Sequence, residues 1–109
     1  MWFIFVETLK KINMIGKKVL IRSYAAGVFF GTLESEAFTL AGKVVVLANS
    51  RRIHYWEGAA SLSQVSQEGI KTGRVAMIEP LKEVANVIET TPLSDAAIAN
   101  LENQPVWKM

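Results

Sequence analysis

The sequence predicts an α+β fold: a small antiparallel β-meander or SH3-like barrel with two short helices. Three observations carry it. Short β-branched runs separated by turn residues fill residues 17–56. Gly27 and Gly31 fall between and inside those runs, where they call for tight turning or strong curvature. Ser61 and Ser94 each stand as a helix cap before a short apolar stretch. A four-stranded flat sheet packed on helices is the competing architecture.

Taken in order, Lys17 to Tyr24 alternates, with Val19 and Ile21 on one side and Leu20 and Arg22 on the other. Ala25-Ala26-Gly27 reads as a tight turn or bulge. Val28 to Glu34 is a second strand, in which Gly31 marks a bend or a close backbone approach. Residues 35–42 read as a hairpin loop. Lys43 to Ala48 is a third strand, Asn49-Ser50 a turn, and Arg51 to Trp56 a fourth strand. Gly58-Ala59-Ala60 then breaks the pattern. Ser61 with Gln64 forms a capping box, and Gly69 supplies a stop, so a helix is expected over 62–68. Arg74 to Glu79 and Glu83 to Thr90 read as strands on either side of Pro80. Leu81, Val84, Ala85 and Ile88 also fit a helical spacing, but the β-branched run before Thr90-Thr91-Pro92 favours a strand. Ser94 caps the last helix, with Leu93 and Ile98 placed as a hydrophobic staple. Asn103-Gln104-Pro105 ends it, and Val106 to Met109 form a tail whose Trp107 folds back onto the core or meets a neighbouring subunit.

The chain of 109 residues reads as one α+β domain over 14–109, preceded by an extension over 1–13. That extension is either an amphipathic packing segment or an artefact of start-site choice, since Met14-Ile-Gly-Lys-Lys-Val resembles the opening of a domain. Its five-residue apolar run before Glu7 is a poor secretory signal and too short to span a bilayer. The absence of cysteine excludes disulfides and thiolate metal sites. Residues 14–56 carry six lysines and arginines against two glutamates, whereas residues 57–109 carry four against seven acids. The basic first half is suited to an anionic ligand.

The candidate site is Arg51-Arg52-Ile53-His54-Tyr55-Trp56. Strict alternation with Ile53 inward places Arg52, His54 and Trp56 together on the open face. Arginine grips phosphate in two-pronged fashion, and aromatic rings stack on bases. Tyr55 and Arg51 are placed to help where the strand leaves the sheet, with Arg22 and Tyr24 from the first strand. The competing reading packs Tyr55 and Trp56 under the following helix. A single histidine with no orienting partner or adjacent nucleophile makes a poor catalyst, and no phosphate-cradling glycine motif or metal-ligand cluster is present. The expectation is a protein that is not an enzyme and carries no cofactor and no metal.

Gly16-Lys-Lys-Val-Leu-Ile-Arg-Ser-Tyr-Ala-Ala-Gly-Val28, then Arg51-Arg-Ile-His-Tyr-Trp-Glu-Gly-Ala-Ala-Ser-Leu62, then Pro105-Val-Trp-Lys108 resemble a family of small phage-borne proteins filed as a domain of unknown function. Length, β-rich front and helical back are also similar, more weakly, to the phage anti-Thoeris proteins that sequester cyclic nucleotide immune signals. That likeness implies a homo-oligomeric sponge in the host cytoplasm, without a membrane partner, that captures a cyclic nucleotide-type ligand. It transfers no site residue by position. The alternatives are a single-stranded nucleic-acid binder and a protein–protein inhibitor or structural virion component.

Overall fold

A computed structural model describes residues 14–40 and 42–109; the segment 1–13, read above as an extension, lies outside the described residues. The elements are β1 (Lys18–Ser23), β2 (Gly27–Thr39), β3 (Gly42–Glu57), α1 (Leu62–Glu68), β4 (Thr72–Val75), β5 (Glu79–Val84), β6 (Val87–Pro92) and α2 (Asp95–Glu102). They build an α+β fold around a six-stranded antiparallel sheet of order β4-β3-β2-β1-β6, with β5 paired to β3. Of the architectures expected, the open meander is the one formed.

The long strand β3 organises the sheet. One edge pairs with β2 along its length, and the other takes β5 at residues 45–50 and β4 at residues 53–57. The turn expected at Asn49-Ser50 is instead a bulge within a continuous strand. Asn49 adopts φ 51°, and the β2 register slips between Phe30 and Thr32. Gly31 is required at this slip, because a Cβ there would lie 2.9 Å from Ser50 Cα and 3.0 Å from the Ala48 carbonyl. Pro80 falls opposite Asn49, between the pairs Ala48–Leu81 and Ser50–Glu79, so its missing N–H breaks no rung that the bulge had left intact.

Beyond β4 the expected boundaries move. The strand expected over 74–79 ends at Val75, and Pro80 lies inside β5. The strand expected over 83–90 divides at Ala85-Asn86, where Asn86 takes φ 55° and turns the chain from β3's edge to β1's. An alternation whose two sides were almost equally apolar gave no warning of that turn. Both helices sit where the caps place them. Ser61 Oγ accepts from Gln64 N–H, and Ser94 Oγ accepts from Ala97 N–H.

The sheet carries apolar clusters on both faces. Val19, Ile21, Phe29, Leu33, Val45, Leu47, Val84 and Val87 form one. Leu20, Val28, Phe30, Ile53, Val75 and the helix residues Val65 and Leu101 form the other, under α1 and α2. The helices lock together through Ser94, whose N–H donates to Ser66 O and whose hydroxyl donates to Gln67 O. Asn100 adds a two-way amide clasp on the Ile70 backbone.

The β3 bulge gives a paired expectation. Gly31→Ala lowers stability by about 1–3 kcal/mol, since backbone must move to admit the methyl group. Ser50→Ala raises it by about 1 kcal/mol, because Ser50 Oγ is buried without a hydrogen-bond partner. Denaturant midpoints of the two variants, moving in opposite directions, check both.

Candidate functional site

A second bulge decides the site. The β3–β4 register slips between Ile53 and Tyr55, leaving His54 as the extra residue. Strict alternation ends there. Trp56, expected beside Arg52 and His54, turns to the helix side, packs partly buried against the cluster under α1 and donates its indole N–H to Ala59 O at 3.2 Å. His54 and Tyr55 stay on the side away from the helices.

On that side three rings and one guanidinium meet across three segments. The Arg74 guanidinium from β4 lies 5.8 Å from the Tyr55 ring centre and 5.5 Å from that of Trp107. The Trp107 ring in turn lies 5.2 Å from His54, tilted by 54°. Arg74 stands opposite Tyr55 in the ladder, so the strand register delivers this contact. Trp107 arrives with the tail, where Val106 makes a parallel bridge to Val75 and Trp107 N–H donates to Val75 O at 2.8 Å. Tyr55 is 49 % exposed and Trp107 42 %, so both residues keep part of their surface open to solvent. Arg52 extends the patch along β3; its guanidinium lies 5.3 Å from the ring centre of Phe29, with Gly27 alongside.

The other sequence candidates go elsewhere. Arg51 turns inward and is 6 % exposed. Its Nε donates to Ala76 O, its Nη1 to Leu101 O and Gln104 O, and its Nη2 to Val75 O and Pro105 O. A guanidinium has five N–H donors, so these bonds use them all and leave none for a ligand. Desolvation by burial pulls its pKa below the usual arginine value, but arginine titrates so far above neutrality that the group stays charged. Arg22 shares a sheet side with Leu20 and is paired with Glu89 at 2.9 Å. Tyr24 lies in the β1–β2 turn, 84 % exposed, and takes no part in the ring contacts around Arg74. The structure thus links His54 and Tyr55 through Arg74 and Trp107, keeps Arg52 on the same side of β3 over Phe29, and engages Arg51, Trp56 and Arg22 elsewhere. Arg74 and Trp107 join the group without having been singled out for it. Arg74 was unreadable without the β3–β4 register, and Trp107 had only its place in the Pro-Val-Trp-Lys ending as a signal.

A cavity of about 370 Å³ lies on the other side of the sheet, between it and α2. Phe30, Ile78, Leu93 and Ile98 supply its apolar walls. Of its charged lining groups, Lys18 pairs with Glu102 and Arg51 spends its donors on carbonyls. No group of three or more metal-ligating side chains occurs among the described residues. No helix among them is long and apolar enough to cross a membrane.

Trp56 and Tyr55 separate cleanly by experiment. Trp56→Ala costs about 3 kcal/mol, the low end for loss of a large aromatic from a packed site. Tyr55→Ala, with its ring at the surface, stays within about 0.5 kcal/mol of the unaltered protein. Thermal and denaturant unfolding of both variants reads the difference.

Neither the curated proteins nor the solved structures contain a match to this chain. One family model matches; it covers the first two of the three quoted motifs, ends in the last turn of α2 and leaves residues 105–108 outside. The chain belongs to the DUF6948 family, a domain of unknown function that spans residues 16–101.

Proposed function

We propose that this protein is a non-enzymatic binding module that takes up single-stranded nucleic acid on the face built from Arg52, His54, Tyr55, Arg74 and Trp107. The observation that carries the reading is the row Tyr55–Arg74–Trp107–His54, three rings and one guanidinium at 5.2–5.8 Å spacing on an open sheet face. Bases stack on exposed rings with little regard to sequence, at about 1–3 kcal/mol per base. Arg52 and Arg74 supply phosphate contacts beside them. An open face suits a strand, which engages several rings in turn, better than a lone small molecule that gains most from enclosure.

The same groups support a second reading, capture of a diffusible cyclic nucleotide-type signal. What favours it is scale: Tyr55 and Trp107 flank one arginine, which matches a base and its phosphate. The resemblance to phage counter-defence proteins supplies its setting, the host cytoplasm, and a second copy over the face supplies the missing enclosure. Competition of cyclic di- and trinucleotides against a bound oligonucleotide separates the readings, since a signal sponge prefers the small ligand.

For the leading reading, labelled oligothymidylate binds at low salt with a log–log salt slope of about −1.4, which is two phosphate contacts at about −0.7 each. Arg52→Ala halves that slope. Tyr55→Ala costs about 1–3 kcal/mol of binding and leaves the slope unchanged. Salt-insensitive retention, or none, removes the reading.

A further inference from the structure

Trp107 and Arg74 reach the binding face on two backbone stretches, and one buried side chain holds both. The tail leaves α2 through Gln104 and Pro105, whose carbonyls accept from Arg51 Nη1 at 2.9 Å and Nη2 at 3.4 Å. The end of β4 is held by the same group, through Ala76 O at 2.7 Å from Nε and Val75 O at 3.2 Å from Nη2. Val75 O is the meeting point, because it also accepts from Trp107 N–H at 2.8 Å. The tail buries little side-chain surface: Val106 is 47 % exposed and Met109 fully so. A segment that buries so little opens locally unless backbone bonds hold it.

We propose that Arg51 is a positioning residue of the binding face: it never touches the ligand, and it sets Arg74 and Trp107 at stacking distance by fixing residues 75–76 and 104–105 together. This rests on the reading of that face as a nucleic-acid surface. It follows that tail docking and ligand binding are linked. A base stacked on Trp107 favours the docked tail, and a docked tail presents the ring.

The test is a double-mutant cycle on the full chain with oligothymidylate as the probe, together with amide hydrogen exchange at Trp107. Arg51→Met keeps an apolar stem of similar length and removes every donor. Arg51→Met and Trp107→Ala each weaken binding about tenfold, the loss of one stacked base. The double variant binds more tightly than the sum of the two losses predicts, because Arg51 acts in part through that ring and only the part acting through the Arg74 backbone remains to be lost. Exchange at the Trp107 amide quickens in Arg51→Met while amides in β1 and β2 keep their protection. Additive losses in the double variant, or unchanged exchange at Trp107, overturn the proposal. Should Arg51→Met fail to fold, Arg51→Lys carries the test, with quicker Trp107 exchange and weaker binding expected and rates like those of the unaltered protein overturning it. Failure of the unaltered protein to bind oligothymidylate removes the nucleic-acid reading alone. The exchange measurement needs no ligand and still decides whether Arg51 holds the tail.

Discussion

The guanidinium of Arg51 is the point through which the three parts of this fold communicate. It stands on the central strand β3, is almost wholly buried, and is bonded to carbonyls of the β4 end, the α2 end and the tail. No carboxylate pairs with it among the described residues. Its charge is stabilised by backbone dipoles, including the carbonyl of Leu101 in the last turn of α2, where the helix dipole is negative. A buried charge stripped of such partners costs several kcal/mol. The geometry is therefore strongly enforced: segments distant in sequence must bring their carbonyls to one place.

The two bulges of β3 are the second constraint. Each inserts one residue and reverses which side the following residues face. The first, at Asn49, puts Arg51 on the helix side in line with Ile53, where α2 and the tail can reach it. The second, at His54, sends Trp56 to the same side and keeps His54 and Tyr55 on the other. One dense cation–aromatic motif is thereby divided into an interior pair, Arg51 and Trp56, and a surface set, Arg52, His54 and Tyr55.

This explains what the sequence made legible. Helix positions were readable because capping is local chemistry: Ser61 with Gln64, and Ser94, declare themselves within four residues. The need for Gly31 was readable too, since a glycine amid large β-formers has few other uses. Side-chain direction past Asn49 was not, because a bulge depends on the register against a partner strand. Arg74 shows the same limit from the other side. It is an ordinary exposed arginine in sequence and acquires Tyr55 and Trp107 only when β4 pairs with β3 and the tail pairs with β4. The break at Asn86 escaped for want of contrast, as both faces of residues 83–90 alternate between similar side chains.

The split motif bears on how such a surface tolerates change. Arg51 and Arg52 are adjacent and chemically identical, yet one is bound to backbone in the interior and the other is half-buried over Phe29. Substitution of the first disturbs the frame that carries Arg74 and Trp107, whereas substitution of the second removes one cation from an intact frame. The aromatic pair divides the same way, with Trp56 holding the turn into α1 and Tyr55 facing outward. Frame and face thus share a single strand, with the bulge at His54 setting where one gives way to the other. A surface with this arrangement can vary its outward groups while the inward ones keep the tail, and with it Trp107, in place.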